Sequence, residues 1–399
     1  MKRYCFITSL HLSENNLVSM SSFSANSIVE FLTPVNLAEL SNDEGFRPTQ
    51  LGKTIAAYEE FFPDIENADL IILGMGEARG AGFPNGNNRS ADAVRAEFYQ
   101  LFQWHYNLKI ADIGNIIPGK TLQDSYAVLR IVLSELQLLN AKVLLLGGSH
   151  DLTLAQCDAF AKQDKTYELT CVDAKMDLNA DTSVIADKFL LDLFTKSPNH
   201  LHHYNHIGFQ SYFVHPQMLE TIDKLRFDCF RVGKVKERLE EMEPPIRNTD
   251  IFSFDVSAIQ NCHAPANLAT PNGFNGEEAC TLFQYAGLSE KMRSIGVYGY
   301  YAHLDKHNLT AKQISHLMWY LLDGIYQGKN ESSFANKTHF NEFHLAFAEM
   351  ETVFLQSKKT NRWWMQLPDE QFIPCSYADY ILATRNEIPE RWLRAIERG

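Results

Sequence analysis

Short apolar runs alternate with longer amphipathic segments over most of this 399-residue chain. Runs such as Lys142–Leu146 and Ile251–Asp255 have the length and composition of buried strands, whereas segments such as Gly276–Leu288 have the length and apolar period of helices. Neighbouring strands that are joined by a helix pair in parallel, with the helix packed on a face of the sheet. The alternation therefore predicts a three-layer α/β fold, in which helices cover both faces of a parallel sheet of about eight strands.

The pattern sets approximate limits for these elements. The predicted strands are 69–75, 108–113, 142–146, 168–173, 205–209, 227–231, 251–255 and 293–298. The predicted helices are 122–139, 152–162, 188–196, 216–225, 234–242, 276–288 and 310–328. The chain contains no internal repeat and no low-complexity tract, so a single α/β core is expected.

Two regions fall outside this alternation. Residues 1–65 contain polar, irregular sequence at 13–16 and 41–47, and residues 331–399 contain a strand-like segment at 344–350 and a terminal helix at 389–398. No Gly/Ser-rich linker separates either region from the rest. We predict an N-terminal addition at 1–65 and a C-terminal addition at 331–399, both packed on a core of residues 66–330.

Composition argues against several functional classes. A formal net charge of -13 disfavours binding to nucleic acid. The apolar run at 4–12 is short and interrupted by polar residues, and no stretch approaches the roughly 20 apolar residues that span a bilayer. The seven cysteines are scattered and form no CxxC pair, which is typical of a reducing compartment. We therefore expect a cytoplasmic protein without a membrane or nucleic-acid partner.

Three segments place metal-ligand side chains at the C-terminal ends of predicted strands, where open parallel sheets bind ligands. Residues 147–150 read Gly-Gly-Ser-His, residues 173–177 read Asp-Ala-Lys-Met-Asp, and residues 253–257 read Ser-Phe-Asp-Val-Ser. Each segment alone is also typical of ordinary turn and capping chemistry. Together, carboxylates and an imidazole suit a divalent ion such as Mn²⁺. If the chain stays extended beyond the strand predicted at 168–173, Asp173, Lys175 and Asp177 point to one face.

These segments resemble the signature motifs of the ureohydrolase family, which includes arginase, agmatinase and formimidoylglutamase. The family motifs read Gly-Gly-Asp-His, Asp-Ala-His-x-Asp and Ser-Phe-Asp-x-Asp. Residues 89–95, 264–265 and 270–273 are similar to further family segments, and the resemblance extends over residues 69–328 in the same order. It implies the arginase-like fold, and the motifs look most similar to those of formimidoylglutamase-like proteins.

The resemblance also implies a metal site that has lost part of its ligand set. Family members hold two Mn²⁺ ions, bridged by a hydroxide that attacks a guanidinium or amidine carbon. One ion would be held here by His150, Asp173, Asp177 and Asp255. The other ion shares two of these carboxylates and needs a further His and Asp, where this chain has Lys175 and Ser257. One Mn²⁺ at most is therefore implied.

Charge counting leads to a prediction for Lys175. One divalent ion and one ammonium group would balance the three remaining carboxylates, so we predict the Lys175 ammonium within about 4 Å of an oxygen of Asp173, Asp177 or Asp255. Asp177 and Lys175 are accordingly the candidate catalytic residues. The alternatives are that Lys175 points to solvent, or that the site binds no metal and its carboxylates are partly protonated.

Further implications of the resemblance concern the substrate, a small amidine or guanidine. Asn179 matches an arginase-type residue that contacts the substrate carboxylate. Gly299 stands where the family has a Glu that pairs with the cationic substrate. The loop with the family's catalytic His has no clear match. We interpret His200, His202, His203 and His206 as a His-rich surface helix end.

Three functional hypotheses follow. The first is a formimidoylglutamase-like hydrolase of linear amidines with an altered site and weak activity. The second is a non-catalytic family member that acts as a binding or regulatory subunit. The third is a different activity that uses Lys175 as a nucleophile or base, although the nearby carboxylates would favour its charged form. The resemblance also implies a homo-oligomer.

Overall fold

A computed structural model describes residues 23–41, 44–84, 89–162, 165–334, 336–347 and 350–398 of the chain. The apolar run at 4–12 and the polar segment at 13–16 lie outside these residues. The strands are β1 Leu32–Thr33, β2 Ala56–Ala57, β3 Leu70–Met75, β4 Ile110–Ile116, β5 Lys142–Leu146, β6 Tyr167–Val172, β7 Leu201–Phe209, β8 Asp228–Arg231, β9 Ile251–Asp255, β10 Ser294–Tyr298, β11 Phe340–Phe347, β12 Met350–Ser357, β13 Trp363–Gln366 and β14 Phe372–Cys375.

The helices alternate with these strands through the core. They are α1 Leu37–Leu40, α2 Leu51–Thr54, α3 Ser90–Phe98, α4 Leu122–Leu136, α5 Thr153–Ala161, α6 Phe189–Thr195, α7 Pro216–Lys224, α8 Val232–Glu237, α9 Glu243–Arg247, α10 Gly276–Leu288, α11 Leu309–Gly328, α12 Tyr377–Thr384 and α13 Glu390–Arg398. Helices α4 and α10 begin at side-chain caps, because Thr121 and Asn275 each accept a backbone N–H and complete a capping box with an acidic residue three positions later.

A large sheet forms the centre of the molecule. Its strands follow the order β1-β4-β3-β5-β10-β9-β6-β7-β8, and β2 also pairs with β4. All pairs are parallel except β1 with β4. The predicted parallel sheet is therefore confirmed, with β1 as an antiparallel addition at one edge.

Alternate strand residues pack into separate apolar layers. Leu144 and Leu146 of β5 belong to the cluster that includes α3, α10 and α11, whereas Val143 and Leu145 belong to the cluster that includes α4 and α5. This two-residue period, on a strand that is buried on both faces, is what a sheet between two helix layers requires. The three-layer α/β prediction is confirmed.

Some predicted limits differ from the structure. The helix predicted at 234–242 is interrupted, because Arg238 leaves the helical conformation between α8 and a short 3₁₀ turn at Leu239–Met242. The strand predicted at 205–209 begins four residues earlier, at Leu201. Residues 89–95 resemble a family segment in sequence, but their apolar pattern did not predict the helix α3 that they begin.

A second sheet, β11-β12-β13-β14, is antiparallel and follows the last helix of the core. Arg247 of α9 connects the two, since its guanidinium donates to the Trp363 carbonyl at 2.8 Å and lies 4.3 Å from the centre of the Trp364 ring. Arg362 makes a reciprocal contact by donating to the Leu288 carbonyl at 3.0 Å. The limits that we proposed for the two additions stay a prediction. In the part of the chain that the structure describes, no helix is both long enough and apolar enough to cross a bilayer.

Candidate metal centre

Four adjacent strands, β5, β10, β9 and β6, bring the candidate residues to one edge of the sheet. His150 follows β5 in a short 3₁₀ turn, Asp173 follows β6, and Asp255 ends β9. The C-terminal ends of parallel strands meet at the same edge, so residues that are far apart in sequence become neighbours. The predicted convergence of His150, Asp173 and Asp255 is confirmed.

Two glycines shape the turn that presents His150. Gly147 and Gly148 have φ angles of +140° and +64°. A Cβ atom on Gly147 would lie 2.1 Å from the Met75 carbonyl oxygen, and one on Gly148 would lie 2.3 Å from the Glu77 carbonyl oxygen. Both positions therefore require glycine, for backbone conformation and for close approach.

Three carboxylate oxygens face one nitrogen of His150. Its Nδ1 lies 3.0 Å from Asp177 Oδ2, 3.2 Å from Asp173 Oδ2 and 3.9 Å from Asp255 Oδ2. The His150, Asp173 and Asp177 side chains are almost completely buried, and ligand atoms from these three residues lie within 4.8 Å of one another. The buried Nδ1 atom has no partner with hydrogen-bond geometry. This arrangement is a candidate site for one cation.

The second carboxylate oxygens of Asp173 and Asp255 are occupied by hydrogen bonds. Asp173 Oδ1 accepts from the Ser257 hydroxyl and from the Lys175 backbone N–H. Asp255 Oδ1 accepts from the Ser257 backbone N–H at 2.7 Å. The oxygens that face His150 are thus distinct from those that the protein itself satisfies.

Burial and mutual repulsion perturb the acids of this cluster. Burial, together with the neighbouring Asp173 charge, raises the pKa of Asp177 well above its usual value and that of Asp255 to about 6. Burial alone would also raise the pKa of Asp173, but its close contact with His150 and the hydrogen bond from Ser257 lower it to about 2. Burial opposes a charge on His150, yet contacts with Asp173 and Asp177 raise its pKa. The cluster therefore has more buried acid than its own imidazole can neutralise.

The prediction that Lys175 points into the cluster is wrong. Its Nζ atom pairs instead with Asp187 Oδ1 at 3.7 Å, and the Lys175 side chain is 42% exposed. Strand β6 ends at Val172, so the two-residue period does not continue to Lys175. The Lys175 N–H turns back onto Asp173, and this turn directs the side chain toward solvent.

The interpretation of the four histidines as a surface helix end is also wrong for most of them. His202, His203 and His206 lie in β7, and the latter two are buried. His206 donates from Nε2 to the Asp173 carbonyl at 3.2 Å and accepts from the Tyr204 hydroxyl at Nδ1. Burial lowers the pKa of His206 to about 4. Through its hydrogen bond to the Asp173 carbonyl, His206 holds the backbone that carries the Asp173 carboxylate.

The structure also describes two further predicted residues, Asn179 and Gly299. Asn179 is exposed and accepts from the Asp181 backbone N–H at 3.0 Å, so its substrate role stays a prediction. Gly299 has a φ of +73°, and a Cβ atom there would lie 2.5 Å from Asp255 Oδ2. An acidic side chain at this position would collide with Asp255 as it now stands.

Sequence reasoning missed some residues near the site. Asp187, the partner of Lys175, comes from a loop without a distinctive pattern. Tyr301, two residues after Gly299, packs on Phe83 with ring centres 4.4 Å apart. Ser253 contacts His150, and the sequence could have predicted that it lies at the site. It stands two residues before Asp255 on the same strand, so both side chains are on the same face.

Comparison with known proteins agrees with this architecture. A sequence model described as the arginase family matches residues 68–323, which is more than half of the chain and includes the whole candidate metal centre. The chain therefore belongs to the arginase family. No curated protein sequence gives a significant match.

Several solved structures share this fold. The formiminoglutamase of Trypanosoma cruzi, solved with Mn²⁺, gives a TM-score of 0.61 at 17% identity over 69% of this chain and 98% of that chain. The formimidoylglutamase of Bacillus subtilis gives 0.60 at 15% identity over 69% and 92%. The agmatine ureohydrolase of Thermoplasma volcanium gives 0.55 at 18% identity over 67% and 93%. At such low identities, this similarity concerns the fold.

Proposed function

We propose that this chain is a one-metal member of the arginase family that hydrolyses a C–N bond in a linear amidine, as its formimidoylglutamase-like fold suggests. The observation that carries the proposal is the convergence of three carboxylate oxygens on the buried Nδ1 of His150. His150, Asp173, Asp177 and Asp255 would hold the ion. We expect activity to be weak, because the residues that would complete a second ion site are Lys175 and Ser257.

The donor set fits Mn²⁺ in its chemistry. Carboxylate oxygens with one imidazole suit this ion, and a bound cation would offset the burial and the Asp173 charge that raise the pKa values of Asp177 and Asp255. A bound Mn²⁺ would supply Lewis acidity and lower the pKa of water. The T. cruzi formiminoglutamase was solved with the same ion.

We assign roles to this chain's own groups as follows. Asp177 has one oxygen toward His150, and its second oxygen can accept a proton from the attacking water. Lys175, paired only loosely with Asp187, can hold a negatively charged group of the substrate at the entrance. Asn179 can donate to the same group. An anionic amidine, rather than a cationic guanidine, suits a cluster that has Lys175 nearby, on a loose pair with Asp187, and that lacks an acid at Gly299.

A non-catalytic role is the second candidate. It is favoured by the hydrogen bonds from Ser257 and Lys175 that occupy Asp173 Oδ1, because these leave no free oxygen for a second ion on that side. A nucleophilic role for Lys175 gains no support, because this side chain is too exposed to be activated by desolvation.

We also propose a homo-oligomer, which light scattering at micromolar concentration would test.

Metal analysis and an activity assay test the proposal together. After loading with Mn²⁺ and dialysis, mass spectrometry should find one Mn²⁺ per chain, and His150→Asn should abolish its binding. Ammonia or formamide release should be slow with formimidoylglutamate, and very slow or undetectable with arginine and agmatine. A chain that binds no divalent ion contradicts the proposal. One bound ion without turnover of any amidine favours the non-catalytic role.

A further inference from the structure

We propose that a cavity between the core and the C-terminal part of the chain binds an α-amino acid that has a large apolar side chain, with Arg238 on its carboxylate and Glu241 on its ammonium group. The cavity measures about 780 Å³, which lies within the range of small-molecule sites. None of the four candidate metal ligands lines it, so the site is distinct from the metal centre and does not depend on the proposed function.

Three parts of the chain enclose this cavity. One wall is formed by β7 and β8 at one edge of the large sheet, and it includes the buried side chains of His203 and Asn205. A second wall runs from α8 to α9, and a third consists of β14, α12 and α13. The third wall lies beyond residues 68–323, so the match to the arginase family covers only two of the three walls.

Most charged side chains of the lining already have partners. Arg394 pairs with Asp228 at 3.0 Å, and Lys234 pairs with Glu237 at 2.9 Å. Arg238 is exposed at the cavity, and its guanidinium forms no ion pair or hydrogen bond with any residue that the structure describes. This guanidinium is therefore available for a ligand, and its planar fork suits a carboxylate.

Glu241 is a partly buried acid of the same lining whose cation is not close. Its Oε2 lies 3.7 Å from Nη2 of Arg391, while Nε of the same guanidinium lies 3.3 Å from Asp379 Oδ2. Burial raises the pKa of Glu241, and the neighbouring Asp379 charge raises it further. Arg391 is thus shared between two acids, and a second positive group beside Glu241 would be stabilised.

Arg238 and Glu241 stand at the two ends of one backbone turn. The Glu241 N–H donates to the Arg238 carbonyl at 3.1 Å, within the 3₁₀ turn at Leu239–Met242. Such a turn brings the Cα atoms of its first and fourth residues within about 7 Å. The carboxylate and ammonium groups of an α-amino acid are also neighbours, because one carbon carries both. The turn therefore presents one cation and one anion to a ligand with the complementary pair.

The remaining lining selects among ligands. Acidic side chains outnumber basic ones, so the cavity is unsuited to a nucleotide or another polyanion. Met242, Pro374 and Leu382 contribute apolar surface, and the volume of the cavity accommodates the largest natural side chains. Phenylalanine, leucine and methionine are accordingly the probes of choice.

Calorimetric titration of the chelator-treated, full-length protein tests the ligand class. L-phenylalanine should bind, whereas 3-phenylpropionate, which lacks the ammonium group, and 2-phenylethylamine, which lacks the carboxylate, should bind more weakly by about 10-fold or more. An analogue that binds as tightly as L-phenylalanine would overturn the proposal, because only one of the two charges would then be recognised. So would the absence of binding by L-phenylalanine, L-leucine and L-methionine at about 10 mM.

Substitutions at the turn test the two assigned contacts. Arg238→Met should weaken L-phenylalanine binding by about 10-fold or more, and the fold should stay intact because this side chain has no partner in the protein to lose. Glu241→Gln should weaken it to a similar extent without weakening the binding of 3-phenylpropionate. Arg130→Met, at an exposed arginine of α4 outside the lining, is the matched control and should change nothing. Equal affinities in wild type and Arg238→Met would overturn the proposal.

A substitution in the metal centre separates this site from the proposed function. His150→Asn should leave the affinity for L-phenylalanine unchanged, because the metal centre and the cavity share no residue. Loss of binding in His150→Asn would instead place the amino acid at the metal centre and overturn the proposal. If the wild-type protein binds no Mn²⁺, the proposed function fails, whereas the titration with L-phenylalanine still decides for or against the cavity.

Discussion

Asp173 uses its two carboxylate oxygens differently, and under the proposed function this difference limits the cluster to one cation. One oxygen faces His150, whereas the other accepts from the Ser257 hydroxyl and the Lys175 N–H. With a carboxylate at position 257, Asp173 Oδ1 could bridge two ions. The Ser257 hydroxyl instead donates a hydrogen bond to this oxygen. The change at Ser257 therefore matters more to the site than that at Lys175, whose side chain already points outward.

Adding two metal-ligand side chains should create a site for a second ion. We expect Lys175→His together with Ser257→Asp to raise the calorimetric stoichiometry from one Mn²⁺ to two, because a new carboxylate beside Asp173 would free its second oxygen for a metal. Ser257→Asp alone should bind the second ion weakly, and Lys175→His alone should not bind it. Two ions in the wild-type protein would contradict this account.

His206 should make stability depend on pH. Its pKa is about 4 in the fold, against a usual value of 6.5, because the buried ring is neutral. The unfolded chain therefore takes up a proton first as the pH falls. The associated stability is complete above pH 6.5 and is lost between pH 6.5 and about 4, a difference of about 3 kcal/mol.

Urea unfolding of chelator-treated protein at several pH values measures this effect. His206→Gln should reduce the loss of unfolding free energy over that pH range by about 3 kcal/mol. His303→Gln, at an exposed ring, is the matched control and should leave the slope unchanged. Identical slopes in wild type and His206→Gln would show that His206 is not held neutral in the fold.

For individual residues, the sequence predicted which of them converge but not where each side chain points. His150, Asp173 and Asp255 could be placed because strand ends define a common edge. Lys175 could not, because its orientation depends on a turn that begins as soon as β6 ends, and no local pattern announces that turn. Asp187 could not for the same reason, since it comes from an irregular loop.

The turn after β5 is the element on which the cluster most depends. Gly147→Ala would place a Cβ atom 2.1 Å from the Met75 carbonyl oxygen at a positive φ. We expect a loss of about 3–5 kcal/mol in unfolding free energy from strain and overpacking. Gly233→Ala in α8 meets no atom within 4 Å and should be neutral or stabilising by about 0.5–1 kcal/mol.

Denaturant titration of both variants distinguishes a local effect from a general intolerance of added methyl groups. Equal stabilities for Gly147→Ala and Gly233→Ala would mean that the turn adapts easily and that its glycines are not required. Mn²⁺ affinity of any folded Gly147→Ala protein should also fall, because His150 follows three residues later.

Among the elements, strands of the buried sheet were predicted best. The limits of β5 and β9 agree with the sequence prediction because continuous apolar runs end sharply at glycine and aspartate. The beginning of β7 was missed, because Leu201 is followed by histidines that read as surface residues although His203 and His206 are buried. Polar residues do not extend the apolar run by which a buried strand is predicted, so the sequence did not indicate that these histidines belong to β7.

For the molecule as a whole, Arg247 connects the second sheet to the core. Its guanidinium is buried, pairs with Glu243 at 3.0 Å and donates to the Trp363 carbonyl. Arg247→Met should lower the unfolding free energy by about 3–5 kcal/mol, because Glu243 and the carbonyl lose their partner. Arg238→Met, at an exposed arginine, should change it by less than about 0.5 kcal/mol.

Scanning calorimetry shows whether the two sheets unfold together. We expect one cooperative transition in the wild-type protein, because contacts of this kind cross the boundary in both directions. Arg247→Met should lower the midpoint of that transition. A wild-type protein with two separate transitions would indicate that the second sheet is an independent domain.

Gly299 bears on the evolutionary reversibility of this site. A side chain at this position and the present Asp255 carboxylate exclude each other, since a Cβ atom would lie 2.5 Å from Asp255 Oδ2. Asp255 is held in place by the Ser257 N–H, so it has to move before an acid can return at position 299. A single Gly299→Glu substitution would disturb the existing cluster before an acid at this position could contribute to binding. Under the proposed function, more than one mutation therefore separates the present site from one that carries an acid at position 299.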